Sequence, residues 1–257
     1  MLVLLSCAKT MSAVSKVKVP LTTIPRFQKE AAEIALQMSQ FSVDELERLL
    51  RVNAKIAVEN YKRYQAFHAE TTPELPALLA YTGIVFKRLN PKDFSAEDFG
   101  YAQEHLRLTS FCYGLLRPLD VIRAYRLEGD VVLPELGNQT LFSYWRSRLT
   151  DTFIEDIRSA GGILCNLASD EMKSLFDWKR VESEVRVVTP EFHVWKNGKL
   201  ATIVVYTKMS RGEMTRFILK NKIGNPEELK GFSWEGFEFD ESLSDEKKLV
   251  FINGMGE

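Results

Sequence analysis

The sequence lacks the features that would place it outside ordinary globular proteins. Its 257 residues include only three cysteines, widely spaced and without a C-x-x-C pair, so neither a disulfide framework nor a zinc site is indicated. No apolar run approaches the roughly 18–20 residues that a membrane span needs. Hydrophobic residues make up 45% and charged residues 27%, which excludes a disordered tail protein. We therefore expect a globular protein of the reducing cytoplasm, with no membrane partner.

Recognised cofactor and catalytic motifs are also missing. The sequence has no P-loop, no G-x-G-x-x-G and no G-x-S-x-G. Its three histidines, His68, His105 and His193, are scattered, and none has a carboxylate at metal-ligand spacing. We therefore predict neither a metal site nor a cofactor, and the motifs leave open whether the protein is an enzyme.

Charge is balanced in total and uneven along the chain. The 34 basic and 35 acidic residues give a formal charge of −1, which argues against a globally basic nucleic-acid binder. Residues 1–29 nevertheless carry five basic residues and no acid, whereas residues 235–257 carry seven acids and two lysines. This distribution favours a confined cationic cleft, with an acidic segment elsewhere or screening it.

Periodicity and capping signals indicate a mixture of helices and strands. Capping boxes at Ser42 and Ser95 open two helices, and we expect the second to run to about Leu116 before Gly114 and Pro118 close it. A further helical turn is expected near Pro118, an amphipathic helix over 142–157, and a helix after Gly212. Strands are expected at 1–6, 163–167, 185–188, 192–195, 200–206, 237–239 and 249–252, with an Asn197-Gly198 hairpin. These elements predict an α+β (mixed α/β) fold, in which helices surround a mixed β-sheet in a single domain over 1–257.

Three expected strands end in polar segments. If they are parallel neighbours, their carboxyl ends gather Lys9, Ser169, Glu171, Lys208 and Arg211 in one cleft. The Ser210-Arg-Gly212 stretch, at the start of the expected helix, is a candidate phosphate site. The alternative is that the serines are ordinary helix caps and that the basic residues form a solvated helix face.

A second basic segment runs from His105 to Glu128. Two helices joined by a Gly/Pro turn would present Arg107, Arg117 and Arg126 to phosphates, as in a helix-hairpin-helix. The alternative is that Arg117 and Arg126 form structural ion pairs with Asp120 and Glu128.

Several motifs run in order along nearly the whole chain. They are Met1-Leu-x-Leu-x-Ser-x-Ala-Lys-Thr10, Ala102-Gln-x-His-Leu-Arg107, Tyr113-Gly-x-Leu-Arg-Pro-Leu-Asp120, Tyr125-Arg-Leu-Glu128, Asn166-Leu-Ala-Ser-Asp-Glu171, Lys208-x-x-Arg-Gly212, Arg216-Phe-Ile218 and Gly231-Phe-x-x-Glu-Gly236. In these motifs the chain resembles the bacterial YaaA peroxide-stress family. Cys7, where the family usually has proline, and Gly129-Asp130 depart from its pattern.

The resemblance implies a cytoplasmic protein that limits oxidative damage by keeping free intracellular iron low. It also implies a positively charged cleft and a helix-hairpin-helix-like element that bind duplex or branched DNA without reading its sequence. The DNA-binding residues carried over are Lys9, Arg107, Arg117, Arg126, Lys208, Arg211 and Arg216.

We weigh three functions. The first is a DNA-binding stress protein whose cationic cleft contacts phosphates. The second is an enzyme on nucleic acid or a nucleotide, lyase- or glycosylase-like, with Lys9 as a Schiff-base nucleophile and Asp120 or Glu171 as acid/base. The third is a scaffold whose cleft takes an acidic protein. Neither the DNA structure preferred nor the oligomeric state follows from the sequence.

Overall fold

The computed structural model describes residues 1–196 and 198–254. The strands are β1 (Leu2–Leu5), β2 (Glu74–Pro76), β3 (Leu106–Ser110), β4 (Gly114–Leu116), β5 (Val121–Arg123), β6 (Val132–Leu133), β7 (Gln139–Thr140), β8 (Ile163–Asn166), β9 (Arg186–Lys196), β10 (Lys199–Ala201), β11 (Phe237–Asp240) and β12 (Lys248–Asn253). The α-helices are α1 (Gln28–Met38), α2 (Val43–Leu50), α3 (Ala54–Ala66), α4 (Ala77–Ala80), α5 (Ile84–Leu89), α6 (Ala96–His105), α7 (Leu141–Ser159), α8 (Asp170–Lys173), α9 (Trp178–Glu184) and α10 (Val204–Asn221). Short 3-10 helices span Pro91–Asp93, Pro134–Leu136, Pro226–Gly231 and Glu241–Leu243.

A central mixed sheet organises the chain, as predicted. Its strand order is β11-β12-β9-β8-β1-β3-β4, and β10 pairs with β9. The five central strands, from β12 to β3, are parallel to their neighbours, whereas β4, β10 and β11 pair antiparallel. Because β1 and β8 are parallel neighbours, their carboxyl ends lie side by side at the same end of the strands.

The first strand forms where the sequence predicts it. All four residues of β1 are buried, as expected for a central parallel strand covered on both faces. The predicted amphipathic helix is α7, which buries Trp145, Leu149 and Phe153 completely. The capping boxes at Ser42 and Ser95 also form, and they open α2 and α6. One continuous cluster of buried apolar residues packs around the sheet.

The helix-hairpin-helix prediction is wrong for the segment that suggested it. Helix α6 ends at His105, and the chain continues as β3, β4 and β5. All five residues of β3 are buried. Its Leu106-Arg-Leu-Thr109 alternation is typical of a strand, but it is short and directly follows the capped helix, whose pattern the sequence prediction extended through it. Gly114 closes no helix. It has a φ of +70° at the start of β4, and a Cβ there would stand 2.7 Å from the Trp145 ring.

The strand expected over 200–206 is also largely wrong. β10 stops at Ala201, and α10 begins at Val204, so Gly212 lies inside a helix rather than before one. Three consecutive β-branched residues, Ile203 to Val205, favour a strand locally, but tertiary packing of α10 against α5 outweighs this preference. The two strands expected between 185 and 195 are one strand, β9. Of the hairpin pair, Asn197 lies outside the described residues, while the flanking strands pair antiparallel as expected.

Candidate functional site

A cavity of about 320 Å³ lies beyond the carboxyl ends of β1 and β8. We call it the edge cavity. Segments 5–10, 83–86 and 125–127 line it, together with Phe111, parts of 167–172 and two residues of α10. The prediction that the polar segments after β1 and β8 meet is therefore confirmed. A cavity at this place follows the general tendency of ligands to bind outside the carboxyl ends of parallel strands.

Hydrogen bonds fasten the two strand-end loops to each other. The Ser169 amide donates to Ser6 Oγ at 2.9 Å, and the two serine hydroxyls are 3.3 Å apart. The Leu167 amide donates to the carbonyl oxygen of Leu4 at 2.9 Å. Ser169 precedes α8, but its side chain makes no capping bond; it contacts Ser6 instead. The loops therefore form one floor for the edge cavity.

Helix α10 supplies two cations, although the predicted reason was wrong. Lys208 and Arg211 are three residues apart, on one face of α10, and both line the edge cavity. They do not follow a strand, and Ser210-Arg-Gly212 is not a helix N-terminus. The helix reaches the cavity because Gly212 packs directly against α5. A Cβ at this position would overlap the Val85 carbonyl oxygen and lie 2.8 Å from the Arg88 Cβ.

Lys9 and Arg126 share one carboxylate. Lys9 Nζ donates to Glu128 Oε2 at 2.7 Å, and Arg126 Nη2 lies 3.6 Å from Glu128 Oε1. The Glu128 side chain is buried, whereas that of Lys9 is 58% exposed. The predicted pairing of Arg126 with Glu128 is thus present, yet both cations also line the edge cavity. One buried carboxylate does not neutralise two cations, so this wall remains positive.

Two half-buried arginines each keep one buried hydrogen-bond donor, Nε, without a partner. Within the described residues, the buried side-chain polar atoms that lack a partner are Arg126 Nε, Arg211 Nε, Asn166 Nδ2 and Ser210 Oγ. Burial lowers the pKa of Arg211, and the field of Asp170 opposes this effect. An unpartnered charged donor in a buried place is costly unless an anion accepts from it. Both arginines line the edge cavity together with Lys9 and Lys208, and these four cations make it suited to an anion.

Glu171 and Cys7 add two further groups to the lining. Glu171, predicted as a candidate acid/base, is exposed and lies in the same cavity as Lys9 and Arg211. Burial raises the pKa of the Cys7 thiol to about 12, and a hydrogen bond with Thr109 partly opposes this effect. Cys7 is therefore a neutral thiol at physiological pH.

A chain of buried hydroxyls lies behind the cavity wall. The Tyr125 hydroxyl is 2.8 Å from that of Tyr81 and 2.7 Å from Ser110 Oγ, which accepts from the Tyr113 amide. Burial raises the pKa of Tyr81 and Tyr125 well above the usual value, so both remain phenols. The sequence interpretation missed this network and the α5 wall. Only the Tyr125-Arg-Leu-Glu128 motif signalled either of them.

Arg107 and Arg117 line a different cavity, together with Arg26 and Asp156. Arg107 Nε donates to Asp156 at 2.7 Å, and its Nη1 donates to two backbone carbonyls. Arg117 Nη2 donates to Asp120 at 2.9 Å, as the structural alternative predicted. Asp120 is 1% exposed and also accepts from the Thr23 hydroxyl at 2.6 Å. The structure thus separates these residues from Lys9, Glu171 and Arg211.

Arg216 is placed apart from the edge cavity as well. It lies one and a half turns beyond Arg211 on α10 and makes a two-pronged ion pair with Asp93, with distances of 2.8 and 2.6 Å. Its Nη1 also donates to the carbonyl oxygens of Leu89 and Asn90, at the end of α5. These bonds tie α10 to the end of α5, so Arg216 stabilises the helix pair that forms the cavity wall.

The fold and the cavity define a mixed α/β protein with a cationic pocket at the carboxyl edge of its parallel strands. The chain belongs to the family described as peroxide stress protein YaaA, whose model matches residues 1–243. It is 99% identical over 257 residues to a UPF0246 protein of Bacteroides thetaiotaomicron, covering all of both chains. It is 78% identical to one of Bacteroides fragilis over the same full lengths. It is 38% identical to one of Crocosphaera subtropica over 253 residues, 98% of this chain and 100% of that one.

Family membership supports a role in peroxide stress. Within the described ranges, no helix combines the length and apolarity needed to cross a membrane. The same part of the chain has no group of three or more His, Cys, Asp or Glu side chains placed to hold a metal ion.

Proposed function

We propose that this peroxide-stress protein binds DNA through phosphate contacts made by the cations of the edge cavity. The observation that carries the proposal is the convergence of Lys9, Arg126, Lys208 and Arg211 on one cavity. Phosphate oxygens form strong, often bidentate hydrogen bonds with guanidinium groups. The exposed side chains of Lys9 and Lys208 extend the site toward solvent, where a backbone can reach them.

Phosphate contacts carry no base information, so this binding is independent of sequence. Following the family resemblance, we also propose that it takes place in the cytoplasm and helps to limit oxidative DNA damage and free intracellular iron. Arg107, Arg117 and Arg216 do not enter the proposed site because each is held in an ion pair elsewhere.

The test is the salt dependence of duplex binding, measured by fluorescence anisotropy. The affinity of the wild-type protein should fall steeply with salt, and each lost phosphate contact should reduce the slope of log K against log[salt] by about one. Lys208→Ala and Arg211→Ala should each reduce it, whereas Lys247→Ala, an exposed lysine beside β12, should not. Duplex binding that is insensitive to salt, or equally strong in the Lys208→Ala/Arg211→Ala double variant, would rule out this site.

A second candidate is an enzyme of the lyase or glycosylase type, favoured by the meeting of Lys9, Glu171 and Arg211 in one cavity. In this scheme the Lys9 amine adds to the aldehyde carbon of an abasic sugar, and water leaves to form a Schiff base. The 2.7 Å bond to Glu128 engages the ammonium form, which has no lone pair for attack, and therefore favours the binding role. Borohydride trapping on abasic DNA decides between them: a covalent adduct that Lys9→Ala removes would establish the enzyme.

A further inference from the structure

The lining of the edge cavity contains more apolar surface than phosphate binding requires. Apart from its cations it is largely apolar, with Phe86, Phe111, Leu127 and Met172 among its walls. A duplex backbone running across the surface would use only the exposed lysines. A largely apolar cavity beside two half-buried arginines is instead typical of a pocket for a small ligand that has one anionic and one hydrophobic part.

We propose that the edge cavity accepts a single nucleotide unit, a nucleobase with its sugar and 5′-phosphate. The inference rests on the proposed function and deepens it, because such a unit can be swung out of a DNA strand. The same chemistry is also presented by a free nucleoside monophosphate. The two sources make identical contacts in the cavity and are separated by the experiment below.

The size of the cavity agrees with one nucleotide and excludes a duplex. Its volume of about 320 Å³ is at the lower end of the range for pockets that enclose small ligands, about 300–1,000 Å³. Double-stranded DNA cannot enter such a space, whereas a nucleotide rotated out of the helix is held in a pocket of this kind by proteins that extrude bases. The duplex would stay outside, against Lys9 and Lys208.

The phosphate is assigned to the arginine side of the cavity. Arg126 and Arg211 both line the cavity, and a phosphate offers several acceptor oxygens to guanidinium groups. Burial disfavours the charged form of Arg211, as its lowered pKa shows, and a bound anion would offset that cost.

The base is assigned to the apolar side. Ile84 and Val85 provide half-buried apolar surface, against which a base can pack without sequence preference. At the polar end of this side, the Glu171 carboxylate can accept from an exocyclic amine, and the Ser6 and Ser169 hydroxyls can both donate and accept. Bases that carry an exocyclic amine therefore suit the cavity best.

The pocket is preformed. The contact of Gly212 with α5 and the bonds between the Ser6 and Ser169 loops hold opposite parts of the lining in place without a ligand. A nucleotide would therefore enter a rigid space, and the cost of ordering the protein would be small.

The first arm of the experiment uses small ligands and calorimetry. Deoxyadenosine monophosphate should bind about tenfold or more tightly than inorganic phosphate, because base packing adds to the phosphate contacts. The second arm uses a duplex that carries 2-aminopurine opposite an abasic position. The fluorescence of 2-aminopurine rises when this base leaves the helical stack. Binding should raise the fluorescence, and deoxyadenosine monophosphate should reverse the rise by competition.

Two variants that block the cavity, and a matched control, complete the design. Ile84→Trp places an indole at a half-buried position of the lining, and Thr10→Trp does so at an exposed one. Both should abolish the fluorescence rise and weaken the monophosphate by about tenfold or more. Val58→Trp, on the exposed side of α3, should behave like the wild type. Thermal unfolding of each variant checks that it is folded, and the wild-type measurements decide the matter if neither blocked variant folds.

The outcomes separate the inference from the function on which it rests. Duplex binding without a fluorescence rise, together with phosphate bound as tightly as the monophosphate, would overturn the nucleotide pocket and leave DNA binding in place. Tight monophosphate binding without duplex binding would overturn the DNA function and identify a free nucleotide as the ligand. Binding of neither would reject both.

Discussion

Replacing Gly212 by alanine has two opposing effects on the stability of the protein. Gly212 lies in the middle of α10, where alanine is the better helix former by about 1 kcal/mol. The same methyl group would overlap the Val85 carbonyl oxygen and lie 2.8 Å from the Arg88 Cβ. A backbone carbonyl cannot rotate away as a flexible side chain can, so α5 and α10 must move apart.

The steric effect should prevail. Overpacking typically costs about 1–3 kcal/mol, and the rigid obstacle places this case at the upper end. After subtraction of the gain in helix propensity, we expect Gly212→Ala to lower the free energy of unfolding by about 2 kcal/mol. For a chain of this size, each kcal/mol corresponds to a decrease in Tm of about 2–4 °C.

Gly100→Ala is the matched control. Gly100 lies in the middle of α6, is exposed, and would have nothing within 4 Å of an added Cβ. This variant should gain about 0.5–1 kcal/mol from helix propensity and reduced backbone entropy of the unfolded chain. Urea unfolding of both variants measures the two free energies of unfolding. If Gly212→Ala were as stable as Gly100→Ala, the close packing of α10 on α5 would be refuted.

Three further predictions concern groups outside that contact. Asp120→Ala should lower the free energy of unfolding in urea by about 2 kcal/mol, because it removes the buried carboxylate that accepts from the Thr23 hydroxyl and the Arg117 amide; an unchanged midpoint would contradict the structural role. Arg216→Ala should cost about 1 kcal/mol and leave the salt slope of DNA binding unchanged, since Asp93 is its partner; a reduced slope would instead return it to the DNA site. Burial raises the pKa of Cys7 to about 12, so its stabilising contribution is complete below the pKa of the unfolded thiol, near 9, and is lost as pH rises from there toward 12. Cys7→Ala should flatten the alkaline fall in stability over that range, and an unaltered profile would argue against a buried thiol.

Local sequence signals correctly predicted those helices whose start or amphipathic pattern depends on residues close together in the sequence. The capping boxes at Ser42 and Ser95 and the amphipathic pattern of α7 depend on near neighbours, and all three elements form. β3 was predicted as helix because its Leu106-Arg-Leu-Thr109 alternation is short and directly follows α6, whose helical pattern was extended through it. The start of α10 was misread because its β-branched residues favour a strand until the helix packs against α5.

The candidate site was predicted in part. Lys9 and Glu171 follow two strands that the sequence identified, but their parallel pairing was only a condition of the prediction and is established by the structure. Lys208 and Arg211 join them only because a glycine lets one helix touch another, and no local pattern encodes that contact. Arg117 and Arg216 carry the same charge but lie outside the edge cavity and pair with Asp120 and Asp93, and their positions in the sequence do not reveal this difference.

The strand order also separates a cluster of acidic residues from the cationic cavity. β11 and β12 form one edge of the sheet, and residues 237–253 carry five carboxylates against two lysines. The cationic cavity lies beyond β8 and β1, in the middle of the same sheet, so charge of opposite sign is held at fixed and different places. An approaching polyanion would be repelled from one side and attracted to the other, and would turn the protein before contact. Because the Debye length is about 10 Å at 0.1 M salt, this orientation would speed association mainly in dilute buffer.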